Sequence, residues 1–188
     1  MDIQAHKGVW VFAEQRDGKL LDVGLELLAA GRELADKLGE ELVAVLFGNQ
    51  VRSLADEVGS YGADKVLVAD SPVLAVYRND SYSLALTELV NQHKPSILLV
   101  GGTTIGMDLA PRVAAKLGTG LTAHAVNLKL DKDGCLLAEI PSFGGSIMAS
   151  ISCAKHRPRM STVPACLLKK PEKKVVKKTS IKMVKESR

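Results

Sequence analysis

The chain has 188 residues, 46% of them apolar and 24% charged, with a formal net charge of +4. That length suffices for one good hydrophobic core, and the composition is that of an ordinary soluble globular domain. No apolar run approaches the length of a membrane span, and the opening MDIQAHKG lacks the basic and apolar regions of a signal peptide, so a cytoplasmic location is expected.

In chain order, four short apolar runs, Val9 to Ala13, Leu42 to Phe47, Lys65 to Ala69 and Ile97 to Val100, read as buried strands. Helical patterns separate them. Residues 22 to 38 place Val23, Leu27, Leu34 and Leu38 on one face, with Gly39 where a C-terminal cap belongs. Residues 50 to 58 suit a shorter helix, and Asp80 to His93 a longer one that Pro95 stops. Strands alternating with helices predict right-handed crossovers, hence a three-layer, doubly wound, mostly parallel α/β sheet. After Leu121 the helical period disappears. Val126, Leu128 and Leu130 alternate with Asn127 and Lys129 before the turn DKDG at 131 to 134, which predicts a hairpin and an antiparallel extension on the C-terminal side.

The charge is unevenly placed. Residues 169 to 188 carry eight Lys and one Arg against two Glu, a net of +7, which leaves the first 168 residues at −3. Apolar patterning stops where this basic stretch begins, so it reads as a solvated linker or tail. Without aromatic residues it lacks the stacking surface of a single-strand nucleic-acid binder.

The segment 98 to 121, LLVGGTTIGMDLAPRVAAKLGTGL, runs from a strand through a glycine and threonine turn into a helix. Such turns offer backbone N–H groups and the positive end of a helix dipole to an anion. GGTTIG is not GxGxxG, however, and no Gly-Lys-Ser/Thr follows, so neither common nucleotide fingerprint is present. Pro111 is expected in the first turn of the helix, which puts Asp108 near its N-cap. Two readings stand, a phosphate cradle and a structural turn capped by a carboxylate.

Three cysteines, Cys135, Cys153 and Cys166, suit neither a disulfide framework nor a four-thiolate metal site, and are expected to be reduced. Cys153 with His156 forms a CxxH pair, but no second ligand pair lies nearby, so no metal is expected. No nucleophile elbow, paired loop carboxylates or metal-ligand cluster appears, and a non-enzymatic role is expected; Glu14 and Glu139 read as solvated or structural acids.

KGVWVFAEQRDGKL, YGADKVLVADSP, TTIGMDLAPRVAAKLGTGLTA and PSFGGSIMASI with CAKHRPRMSTV stand in this order along the chain. Together they resemble the N-terminal domain of the alpha (large) subunit of electron transfer flavoproteins, over nearly the whole chain. The first and third look most like the anaerobic branch that accompanies acyl-CoA dehydrogenases and splits electrons between two acceptors. The resemblance implies a Rossmann-like fold, similar to adenine nucleotide alpha hydrolases, for residues 1–168. It makes 169–188 the start of a connector to a FAD-binding domain absent from this chain. It implies a heterodimer with a beta subunit holding AMP or a second FAD, an acyl-CoA dehydrogenase-type redox partner, and FAD in the complete complex rather than on this chain alone. The chain departs from the family pattern at Met107 and Pro164, each in place of an arginine, and at His124, in place of an aspartate. An arginine's permanent charge and five-donor fork are lost there.

Within that frame Thr103, Thr104, Gly106, Asp108 and Arg112 are candidates to face a cofactor held by the partner. Asp108 and Arg112, four residues apart on one helical face, have the alternative of pairing with each other. Arg157 and Arg159, flanking Pro158, are candidates for the subunit interface, with surface charge as the alternative. A stand-alone nucleotide-binding or nucleotide-hydrolysing protein using the turn at 101 to 106 is the competing function.

Overall fold

The structure is a computed structural model that describes residues 5–153, 157–165 and 179–184. Its first half alternates as expected. Strand β1 (Val9–Phe12) is followed by a small hairpin, β2 (Gln15–Arg16) and β3 (Lys19–Leu20), then by helix α1 (Asp22–Leu38). Next come β4 (Leu42–Gly48), α2 (Arg52–Ser60), β5 (Lys65–Asp70), α3 (Asn79–His93), β6 (Ile97–Gly101) and α4 (Thr104–Leu117). Gly39 ends α1 in the left-handed region, at φ 66°.

The second half holds β7 (Leu121–Thr122), β8 (Asn127–Leu130), β9 (Leu136–Ser142), β10 (Ile147–Ile151), β11 (Arg159–Val163) and β12 (Ser180–Met183). Among the described residues seven strands form one sheet in the order β12-β5-β4-β1-β6-β11-β7. Every neighbouring pair in it is parallel.

The near-continuous apolar runs follow from this arrangement, because a strand covered on both faces alternates between two cores rather than between core and water. Val9, Val11, Leu42, Ala44, Val66 and Leu99 join α1 and α2 residues such as Leu27, Leu34 and Val58. Trp10, Phe12, Val43, Phe47, Leu67 and Leu98 join Leu86 and Leu89 of α3 with Leu109 and Val113 of α4. The three-layer, doubly wound architecture is confirmed.

The antiparallel extension is also present, with β8, β9 and β10 forming a separate sheet in the order β10-β9-β8. In the DKDG turn, Asp131 Oδ1 accepts from the N–H groups of Asp133 and Cys135, and Gly134 sits at φ 71°.

Beyond the extension the chain returns to the core sheet, where β11 is buried throughout and pairs with β6 in parallel, Met160 opposite Leu98. One expectation needs correction: the basic stretch is not a solvated tail throughout. Ser180–Met183 adds a parallel edge strand to β5, Ile181 opposite Val66, while the Thr179 hydroxyl donates to the Ala63 carbonyl at 3.2 Å. The alternation Ile181, Met183, Val184 is too short, and too diluted by lysine, to register as a strand from sequence alone. Among the described residues no helix is long and apolar enough to cross a membrane.

Candidate functional site

In a doubly wound sheet, ligands bind outside the carboxyl ends of the strands at the point where strand order reverses. Here β4 and β5 extend to one side of β1, and the chain then returns to place β6 on the other. The reversal falls between β1 and β6, whose next residues are Ala13, Glu14, Gly102 and Thr103.

Thr103, not Asp108, is the N-cap of α4. Its backbone is extended at φ −82°, ψ 172°, and its hydroxyl accepts the Gly106 N–H at 3.0 Å. Pro111 is therefore the eighth residue of the helix rather than part of its first turn, and sits on the exposed side. It survives there because a proline removes one N–H, leaving only the Met107 carbonyl without its intrahelical donor. Aspartate ranks above threonine as a cap by type, so the error lay in position, in anchoring the helix start on the proline.

The Thr103 hydroxyl also donates to Glu14 Oε2 at 2.6 Å. Glu14 is 2% exposed, and its other oxygen, Oε1, has no hydrogen-bond partner among the described residues. Burial pushes its carboxyl above the usual carboxylate range, against the opposing pull of the Thr103 hydrogen bond and of Arg16. A carboxyl group thus occupies the mouth of the turn. Gly106 closes it further, since a Cβ there would come within 1.8 Å of the Gly101 carbonyl oxygen. A phosphate or pyrophosphate would be set beside Glu14 in a turn already packed against its own strand. These residues do not fit that group, so no step is derived through a nucleotide on this turn. The adjoining cleft, about 230 Å³, is below the ~300–1,000 Å³ usual for small-molecule sites.

The remaining turn candidates do not converge. Thr104 is exposed beside the cap. Asp108 and Arg112 do not pair with each other; both reach α3. The Asp108 carboxylate accepts from the Tyr77 hydroxyl at 2.7 Å and from Asn79 Nδ2 at 2.6 Å, and Arg112 pairs with Asp80. The Tyr77 and Asn79 hydrogen bonds hold the Asp108 carboxyl below its ordinary range. Burial, reinforced by Asp108, pushes the Tyr77 phenol well above its own. Arg112 lies eight residues beyond Thr104, about 12 Å along the axis.

Arg159 is turned inward and is no surface charge. It is 4% exposed, its Nε donates to the Cys153 carbonyl at 3.0 Å, and its Nη2 contacts Cys135 Sγ. Arg157, joined to Pro158 by a cis peptide, is partly buried beside it. Cys135 and Cys153 carry no disulfide. His156 and Cys166, and with them the CxxH pair, lie outside the described residues. Among the described residues no group of three His, Cys, Asp or Glu side chains is placed to hold a metal ion. Glu139 accepts from Lys129 and Asn127, so its place is structural.

Met107, His124 and Pro164, far apart in sequence, come together at the carboxyl end of β11. The Thr162 hydroxyl accepts the His124 N–H at 3.1 Å and lies 3.6 Å from Met107 Sδ. Pro164 packs against Gly102, where a Cβ would meet its nitrogen at 2.9 Å.

The fold and this geometry agree with what comparison with known proteins finds. The model of the electron transfer flavoprotein domain matches residues 9–188, and the chain belongs to that family. It is 53% identical over 159 residues to the electron transfer flavoprotein subunit alpha of Clostridium acetobutylicum, covering 84% of this chain and 47% of the relative. It is 52% identical over 164 residues to the protein FixB of Clostridium saccharobutylicum, covering 87% and 49%. The Acryloyl-CoA reductase electron transfer subunit beta of Anaerotignum propionicum is 42% identical across 194 aligned positions, covering 91% and 53%. The chain spans about half the length of the curated relatives it matches.

Two features escaped the sequence reading. The β2–β3 hairpin turns at Asp17 and Gly18, both at positive φ, and Asp-Gly between short strands is the standard signal for such a turn. The burial of Glu14 had no signal at all, because its partner Thr103 is 89 residues away.

Proposed function

We propose that this domain is the scaffold of an alpha-type electron transfer flavoprotein subunit. It packs against a beta subunit and supports flavin-based electron transfer between NADH or acyl-CoA dehydrogenases and other carriers. In the complete complex FAD sits on a separate domain, and the beta subunit holds AMP or a second FAD. The relative named for acryloyl-CoA reductase supports an acyl-CoA dehydrogenase-type partner, and the family a cytoplasmic site of action.

One observation carries the reading of a packed heterodimer. Among the described residues strand β10 is paired on one edge only, and Phe143, Ile147, Met148 and Ile151 are 81%, 55%, 50% and 40% exposed. No charged residue stands between Ile140 and Ser152. A contiguous exposed apolar strand is a surface that soluble proteins cover with a partner. Electron transfer asks no acid, base or nucleophile of this chain, since the flavin supplies the chemistry and the protein supplies position. The Met107, His124 and Pro164 cluster offers no arginine fork to a flavin.

Co-expression with a cognate beta subunit tests the proposal. A one-to-one complex on size exclusion with light scattering is expected. A chain that elutes alone in the presence of that subunit overturns it, and micromolar binding of AMP or ATP to the isolated chain replaces it with the nucleotide-binding alternative.

A further inference from the structure

The cleft at the carboxyl ends of β1 and β4 is too small for a nucleotide, yet it holds a feature that calls for a ligand. Glu14 is one of the residues that line it. With Oε2 turned to Thr103, Oε1 is the oxygen left for an incoming group, and it has no partner among the described residues. Behind Tyr77, also in the lining, Asn79 Oδ1 is a second buried acceptor without one among them. Leaving a buried polar atom unsatisfied is costly, so a donor that reaches it is favoured.

The surrounding charge selects the donor. Glu14 and Asp17 face the cleft, and Asp108 lies behind Tyr77 through its hydrogen bond to that hydroxyl. Against these three carboxyl groups stands Arg16 on the rim. Arg112 is occupied by Asp80. The walls are Phe12, Phe47, Tyr77, Tyr82 and Ile105, apolar or aromatic surface on which an alkyl stem packs and whose ring faces attract a cation.

We infer that this cleft is a binding site for a small organic cation with N–H donors on a short apolar stem, an alkylammonium or alkylguanidinium, whose head group bonds Glu14. At about 230 Å³ the cleft has room for one lysine-sized or arginine-sized stem. The same chemistry comes from a free amine or from a basic side chain of a partner protein. The groups facing Glu14 are Arg16 and Asp17 from the β2–β3 hairpin, Tyr77 and Tyr82 from the α3 side, and Thr103, which is uncharged, from α4. Burial raises the Glu14 carboxyl, so a cation that draws it into the ionised form binds less tightly as the pH falls through its titration.

The test titrates the full chain with propylammonium and ethylguanidinium, and with propanol and urea as uncharged counterparts, following backbone amide shifts at Glu14, Thr103 and Ile105. Saturable shifts with the cations and none with the neutral compounds are expected. Affinity should fall at least tenfold in Glu14→Gln and rise in Arg16→Ala, which removes the competing cation. If Glu14→Gln fails to fold, the wild-type titration and Arg16→Ala still decide. Equal response to propanol, no saturable response, or weaker binding in Arg16→Ala overturns the inference. Repeating the titration on the complex with the beta subunit separates the sources: loss of the response there identifies a partner side chain in the cleft, and its persistence identifies a free amine.

Discussion

Glu14 and Thr103, 89 residues apart, are joined by a 2.6 Å hydrogen bond across the reversal point of the sheet. Because the Thr103 hydroxyl also accepts the Gly106 N–H, one oxygen both caps α4 and anchors the carboxyl group that follows β1. Thr103→Val removes both roles. Loss of a cap costs about 1 kcal/mol, and an orphaned buried carboxyl oxygen about 1–3 more. Urea denaturation should show a loss of about 2–4 kcal/mol, with Thr103→Ser close to wild type. Equal stability of the two variants would sink the dual role.

The same pair makes stability depend on pH in a predictable direction. Burial raises the folded-state titration of Glu14 above its unfolded value. A group shifted this way contributes stability that is full below the unfolded value, about pH 4.3, and is lost as pH rises through the folded one. The advantage of wild type over Glu14→Gln should therefore shrink as the pH rises above about 4 and through the raised titration of Glu14. Urea midpoints of both proteins at several pH values measure it, and a constant difference rules the mechanism out.

Gly106 is constrained by space. A Cβ would approach the Gly101 carbonyl oxygen to 1.8 Å, and that atom is backbone that no side-chain rotation moves aside. Gly106→Ala should lose more than about 4 kcal/mol or fail to fold, the range reached only by severe steric or core defects. Thermal unfolding checks it. A stable Gly106→Ala would mean that α4 is free to shift off β6.

How much of this was legible depended on the range over which each feature is encoded. The first four core strands and their helices were readable because burial on two faces leaves apolar runs such as Leu42 to Phe47, and helical period leaves Leu27 and Leu34 on one face. The place of strand β11 was not legible because RMSTV is buried between β6 and β7, and nothing local tells a parallel return from a further antiparallel strand. Thr103 and Gly106 were singled out by turn chemistry. The contacts of Asp108, Arg112 and Arg159 were not legible because their partners, Tyr77, Asp80 and Cys135, are 24 to 32 residues distant.

Strand β12 protects the edge of β5. Ending the chain at residue 178 removes the Thr179 hydrogen bond to Ala63, the packing of Ile181 and the pairing along Lys65 to Val68. Losing one partly buried isoleucine costs about 1–2 kcal/mol, and the bared edge favours association. The truncated chain should melt lower and aggregate on heating, as followed by circular dichroism and light scattering. An unchanged melting temperature would return this segment to the status of a tail.

The β10 face separates folding from assembly. Ile147 and Met148 are at least half exposed, so Ile147→Lys with Met148→Ser should change stability by no more than about 0.5 kcal/mol per site. If a beta subunit covers this strand, a buried lysine there weakens the complex at least tenfold. Sedimentation or calorimetry with the subunit gives the answer. Wild-type affinity in the double variant would move the interface to another face.

Pro111 stands in the eighth position of α4, where a proline denies the Met107 carbonyl its donor. In a helix interior proline is about 3 kcal/mol less favourable than alanine, while its rigidity limits the unfolded chain by about 0.4–1 kcal/mol. The first effect is larger, and Pro111 is exposed, so alanine meets no clash. Pro111→Ala should therefore stabilise the domain by about 2 kcal/mol, read from urea denaturation with an unchanged slope. Destabilisation would mean that the proline bend itself seats α4, bringing the Asp108 carboxylate to Tyr77 and Asn79 and Arg112 to Asp80, and those contacts would then loosen in the same variant.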